Sequence, residues 1–207
     1  MSTRDQRDSE NAGDRLQRAM ELFWRQGYYD TSVSDLVAET GANRQGLYGE
    51  YGSKQGLFRA SLRVYGREVT DRTTAVMAGA DASLAEIRAF FAQFLEIIET
   101  PRGQMGCLVC NTATEISEQD AEIAADVAGV LASQRGLFRA ALVNARDRGE
   151  IAATADPDIL ADHCVGSLMG FMGYARSPAP REAVRNHVKG ILGFLDGIAQ
   201  PPRQNQT

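Results

Sequence analysis

The chain has 207 residues, 43% of them hydrophobic, which is enough to build a core without disulfide or metal staples. Its formal net charge of −5 is the opposite of the basic balance expected of a nucleic-acid binder, so any DNA contact must rest on locally concentrated charge. No apolar run approaches the roughly eighteen residues that span a bilayer, and the opening MSTRDQRDSENAGD lacks the apolar segment of a signal peptide, so a cytoplasmic protein with no membrane partner is expected.

Helical periodicity dominates, and no run of alternating β-branched residues bounded by hairpin signals appears, so the predicted class is all-α with about nine helices. After a polar tail over 1–13, Leu16, Ala19, Met20 and Phe23 share one face of a first helix that ends before Gly27. Ser32, with Asp35 three residues on, caps a short second helix that Gly41 stops. Asn43 caps a third, Arg44 to Glu50, and a long fourth starts after Ser53 with Phe58, Leu62, Tyr65 and Val69 on its apolar face. Ser83 and Glu86 form a capping box for a fifth helix that turns Leu84, Ile87, Phe91, Phe94 and Ile98 inward and breaks at Thr100-Pro101. A sixth is expected from about Met105 to Ile116 and a seventh from about Glu118 to Arg148, closed by Gly149. Asp156-Pro157 and Ala179-Pro180 open two more, and residues 200–207 form a second polar tail.

The second and third helices have the punctuation of a helix-turn-helix. The exposed tip of the third presents Arg44 and Gln45, the side-chain types that pair bidentately with guanine and adenine edges in the major groove. Residues 1–60 hold eight Lys+Arg against nine Asp+Glu, so only a face made by Arg44, Lys54, Arg4 and Arg7 can be positive, and two subunits acting together are needed for useful affinity.

The run GANRQGLYGEYGSKQGLF, from Gly41 to Phe58, resembles the DNA-binding signature of the TetR/AcrR family of transcriptional regulators. The agreement extends upstream through Ala19, Leu22, Phe23, Gly27, Tyr28, Thr31, Ser32, Val33 and Leu36. The resemblance implies a helix-turn-helix domain over 14–52 and an effector-binding and dimerisation domain over 53–199. It further implies a homodimer, a double-stranded, pseudo-palindromic operator as partner, and an unknown small-molecule effector that releases a repressor. It assigns Tyr48 and Lys54 to DNA phosphates, so the DNA-binding set is Ser32, Asn43, Arg44, Gln45, Gly46, Tyr48 and Lys54. Two positions depart from the pattern. Gly46 stands where the family usually has Thr or Ser, and Tyr51 where it usually has a core Phe.

Effector candidates are Phe91, Phe94, Cys107, Asn111, Glu115, His163 and Phe171, a few polar groups among apolar walls. The final helix carries Val184, Val188, Ile191 and Leu195 at four-three spacing, and its predecessor carries Gly166 and Gly170, which permit close helix contact, so these six are the dimerisation candidates. Cys107 and Cys110 form a C-x-x-C near a helix N-terminus, where a thiolate is favoured. Core packing and a thiol sensor of oxidants or electrophiles both remain open, and two cysteines three apart on a continuous helix are poorly placed for an unstrained disulfide. No second C-x-x-C exists for zinc, and no G-x-S-x-G, P-loop, G-x-G-x-x-G or H-E-x-x-H is present, so no metal, cofactor or catalytic residue is expected. The reading from another functional class is an all-α ligand-binding or catalytic protein without operator recognition.

Overall fold

The structure, a computed structural model, describes residues 3–116 and 120–201, with side chains from residue 12 onward. Nine helices of eight residues or more run through them: α1 Thr3–Gln26, α2 Val33–Thr40, α3 Arg44–Tyr51, α4 Lys54–Tyr65, α5 Leu84–Ala92, α6 Leu108–Glu115, α7 Ala121–Asp147, α8 Pro157–Arg176 and α9 Arg181–Ile198. A π turn over Gly66–Thr70 and two short helical segments, Asp71–Thr74 and Ala75–Met77, follow α4. Extended pairing among the described residues is one antiparallel bridge, Ile151 to Ala199. The all-α expectation holds.

The polar stretch expected as a tail is helical from Thr3, in keeping with a segment free of glycine and proline before Gly13. The side chains of Arg4 and Arg7, the start of the seventh helix at Glu118 and the tail from residue 202 lie outside the described residues.

The chain forms two compact units, one from residues 1–70 and 107–128, the other from 71–106 and 129–207. In the first, α1 packs on α2, α4 and α6. Its centre is aromatic: Phe23 meets Phe58 edge-on at 4.8 Å, Tyr28 lies 4.8 Å from Phe58, and Trp24 meets Tyr65 edge-on at 4.9 Å. Phe23 and Phe58 are wholly buried, each worth roughly 1.5–3 kcal/mol of transfer free energy. This packing fixes α4 beneath the helix-turn-helix.

In the second unit the five apolar positions predicted for the fifth helix are all buried, Phe94 and Ile98 lying just beyond the end of α5. Phe91 stacks on Phe138 of α7 at 5.8 Å, and Phe94 packs on Phe171 of α8 at 4.9 Å. Glu86 accepts the backbone N–H of Ser83 at 2.7 Å, as the capping box requires.

Here the sequence reading needs correction. Val184, Val188, Ile191 and Leu195 are 0%, 0%, 7% and 0% exposed, and they pack into the same core as α5, α7 and α8. Side chains already buried in their own chain cannot cover a partner. The opposite face of α9 carries Asn186, Gly190, Gly193 and Gly197, all exposed, and the outward face of α8 carries Ile159, His163, Gly166, Gly170 and Gly173. A Cβ at Gly166, Gly173, Gly190, Gly193 or Gly197 would meet nothing within 4 Å, so both helices expose a stripe of nearly bare backbone.

Candidate nucleic-acid interface

Local hydrogen bonds set the caps and turn of the helix-turn-helix. Ser32 Oγ accepts the N–H of Asp35 at 3.1 Å, and the Asp35 carboxylate accepts the N–H of Ser32 at 2.9 Å, so two orphan donors at the start of α2 are satisfied reciprocally. These hydrogen bonds, from the Ser32 side chain first and its backbone second, hold the Asp35 carboxyl below its ordinary range. Gly41 ends α2 at φ 68°, a left-handed conformation that glycine adopts without steric cost, and donates to Val37 O. Asn43 Oδ1 then accepts the N–H of Gly46 at 2.7 Å, which starts α3. Leu47 is 2% exposed and anchors the helix, while Arg44, Gln45 and Gly46 face solvent.

The elbow between α3 and α4 is tighter still. Ser53 Oγ accepts the N–H of Gly56 at 3.0 Å, and a Cβ at Gly56 would lie 2.0 Å from the carbonyl oxygen of Tyr51. Only glycine lets the two backbones approach this closely.

The cationic side chains are held rather than loose. The Arg44 guanidinium lies 5.4 Å from the centre of the Tyr48 ring one turn on, an arrangement that presents both on one face. Lys54 Nζ stands 4.6 Å from the centre of the Tyr28 ring and 3.5 Å from Tyr29 O. Burial lowers its pKa, and the charges of Glu115, Asp120 and Asp30 oppose that shift. Arg25 pairs with Glu39 at 3.1 Å, and Arg59 reaches Asp126 at 2.5 Å and Glu122 at 2.8 Å.

Sequence reasoning missed Arg15 and Arg18. With Asp14 on α1 they line an open polar groove of about 430 Å³ whose other wall is Thr40 to Asn43 and Gly46. Their signal was available, since they lie off the apolar face made by Ala19, Met20 and Phe23. Gly46 fits this groove, because a Cβ there would stand only 3.2 Å from the capping oxygen of Asn43. Tyr51 is partly buried, not a full core residue, and its hydroxyl donates to Glu50 at 2.9 Å. Burial first, then that carboxylate, pushes its pKa up to about 12.

The effector candidates are divided between the two units. Cys107, Asn111 and Glu115 belong to the first unit and Phe91, Phe94, His163 and Phe171 to the second. Glu115 accepts the N–H of Tyr29 at 2.6 Å, and the Tyr29 hydroxyl donates to Asp120, so this carboxylate pins the loop before α2. Phe91, Phe94 and Phe171 are core, and His163 is exposed on α8 with its ring 4.3 Å from Phe194. No cluster of metal-binding side chains occurs among the described residues.

Comparison with known families settles the class. Residues 16–61 match the model of bacterial regulatory proteins of the tetR family, and residues 83–191 match a tetracyclin repressor-like C-terminal domain. The chain belongs to the TetR family of transcriptional regulators. It is therefore a DNA-binding regulator and not an enzyme. It is 33% identical to the HTH-type transcriptional repressor ComR of Escherichia coli K12, over 81% of this chain and 80% of ComR. A TetR transcriptional regulator of Chloroflexus aurantiacus superposes with a TM-score of 0.82 at 25% identity, covering 94% of this chain and 98% of that one. CifR, a TetR family regulator solved as a cysteine mutant complexed with 26-bp double-strand operator DNA, superposes with a TM-score of 0.76 at 27% identity, over 87% of this chain and 94% of its own.

Proposed function

We propose that this TetR-family protein is a homodimeric repressor that reads a pseudo-palindromic operator with α3 of each subunit. The observation that carries the reading is the tip of α3. Arg44 and Gln45 project into solvent from a helix whose first turn is locked by the Asn43 cap and anchored by Leu47, so base-reading groups are presented in fixed register. Tyr48, Lys54 and Ser32, joined by Arg15 and Arg18 along the groove, take the phosphate contacts that position the reader. Repression is supported by the likeness to the repressor ComR, and duplex binding by the CifR complex.

Dimerisation is assigned to the exposed glycine faces of α8 and α9, including Gly166 and Gly170, in place of the buried valine and leucine stripe. Four such helices, two from each subunit, approach closely where the glycines leave little side chain between them. Release is assigned to a small-molecule effector that binds the operator-incompetent state more tightly, its differential affinity setting how far DNA binding falls. Gln134 supports an effector site in the second unit. It is 6% exposed, and its Oε1 has no hydrogen-bond partner among the described residues, a buried acceptor that a ligand donor would satisfy.

A mobility-shift titration on the DNA flanking the gene tests the reading. Sequence-selective, salt-dependent binding by a dimer is the expected result, and equal affinity for unrelated duplexes at every salt concentration would refute operator recognition.

A further inference from the structure

Among the groups that DNA reading leaves unused, one cluster stands out by its chemistry. Cys107 is the N-cap of α6, with φ −115° and ψ 127°, so it lies outside the helix that Cys110 has already joined. The objection that the two sulfurs sit on one continuous helix therefore falls. The Cys110 thiol and the Tyr65 hydroxyl both donate to Cys107 Sγ, one from the first turn of α6 and the other from the end of α4. Two side-chain donors converge on one sulfur. Cys110 first, then Tyr65, hold the Cys107 thiol below its ordinary range against the effect of burial, while the Cys110 thiol is pushed up. Core packing of small apolar side chains would not gather donors in this way. Cys164 shows the contrast, since burial alone pushes its thiol up to about 12.

We propose that Cys107 and Cys110 are a dithiol that hydrogen peroxide oxidises to an intramolecular disulfide, with Tyr65 as the residue that positions the attacking sulfur. The Cys107 thiolate attacks one peroxide oxygen. The S–O bond forms as the O–O bond breaks, giving Cys107 sulfenic acid and hydroxide. Cys110 then gives up its proton and attacks the Cys107 sulfur, the S–S bond forms as the S–O bond breaks, and water leaves. Two thiols lose two electrons and one peroxide gains them. The sulfurs are already in hydrogen-bond contact, so closure to the disulfide length of about 2.05 Å is a matter of side-chain rotation and a small adjustment of one helical turn. Exposures of 7%, 4% and 3% for Cys107, Cys110 and Tyr65 select an oxidant the size of peroxide over a bulky electrophile.

Tyr65 gives the switch a route to the DNA reader. It is the last residue of α4, directly before the π turn, and α4 begins with Lys54. Once Cys107 is a disulfide sulfur it no longer accepts from Tyr65 as a thiolate, and the C-terminal end of α4 keeps only the bond from the Leu108 N–H to that hydroxyl. This coupling rests on the regulator reading, whereas the thiol chemistry does not.

The test uses the full chain, reduced and then titrated with hydrogen peroxide, with denaturation, alkylation and intact mass as readout. The expected product is a monomer-mass species about 2 Da lighter that keeps one alkylatable thiol, Cys164. Cys107→Ser should stop oxidation, and Cys110→Ser should let a sulfenic acid accumulate that dimedone traps. Before oxidation, Cys107 should alkylate about tenfold or more faster than Cys164. Tyr65→Phe keeps the ring that packs on Trp24 and deletes only the hydroxyl, so it should move the pH midpoint of Cys107 alkylation upward, and the titratable groups facing this sulfur are the Cys110 thiol and the Tyr65 phenol. A linkage between subunits, equal reactivity of Cys107 and Cys164, or an unmoved midpoint in Tyr65→Phe would overturn the proposal. If the reduced protein binds its flanking DNA and no disulfide forms, this proposal fails alone; if the disulfide forms and the reduced protein binds no DNA, the regulator reading fails alone.

Discussion

Leu195→Ala and Gly193→Glu, two residues apart on α9, should have opposite consequences. Leu195 is 0% exposed in the core of the second unit, so truncating it removes buried methyl groups and leaves a cavity, at a cost of about 2–5 kcal/mol. For a chain of this length each kcal/mol lowers Tm by roughly 2–4 °C, which predicts a drop of about 4–20 °C with the dimer intact. Gly193 points the other way, and a Cβ there meets nothing within 4 Å. A glutamate in place of a mid-helix glycine gains about 0.5–1 kcal/mol of helix propensity, so the subunit should keep its fold while bulk and like charge separate the two copies. Sedimentation velocity at micromolar concentration reads the assembly. Far-UV melts at matched protomer concentration read the fold, because a dimer's Tm varies with concentration. A monomeric Leu195→Ala with unchanged Tm, or a dimeric Gly193→Glu, would refute the assignment of the two faces.

Arg44→Ala should cost about 1–3 kcal/mol at a single base-pair position and relax specificity there, whereas Lys54→Ala should weaken all sequences alike and reduce the salt slope by about one unit; operator-variant titrations at several salt concentrations separate the two. Gly56→Ala should disrupt the elbow between α3 and α4, since its Cβ would lie 2.0 Å from Tyr51 O, and should lower both Tm and operator affinity; full affinity with an unchanged melt would show that the elbow tolerates the methyl. The Asp35 carboxyl is depressed by the Ser32 cap, so its contribution to stability is present above the ordinary carboxylate pKa and disappears as pH falls through the lowered value. Asp35→Asn should flatten that limb of a pH–stability profile, and an unchanged profile would remove the capping box from the account.

The helix-turn-helix was legible because its signals are local. Ser32 with Asp35, Gly41, and Asn43 with Gly46 each act within three or four residues, and each adopts the geometry its residue type favours. Periodicity was a weaker guide for α9. A four-three stripe shows that one face is apolar but not whether its own core or a second copy covers it, and here the core took Val184 to Leu195 while the exposed face was written in glycines that carry no hydropathy signal. The structural contact of Glu115 was hidden for a related reason. Its partner Tyr29 lies 86 residues away, and no spacing rule reaches that far. Cys107 was legible as a helix-end thiol, but the donor from Tyr65 arrives from another helix and appears only when the chain is folded.

The Asn43 cap also restricts what this side chain can say to DNA. Its carbonyl oxygen is turned onto the Gly46 N–H at 2.7 Å, which fixes the orientation of the amide and leaves the NH2 group as the end that faces outward. With its oxygen turned onto the cap, the amide does not present donor and acceptor side by side to an adenine edge, but its NH2 can still donate to a phosphate oxygen or to the acceptors of guanine. In the proposed complex, adenine recognition at this tip falls to Gln45, whose amide is not the cap, and Asn43 becomes a one-way donor whose orientation was set before any DNA arrived.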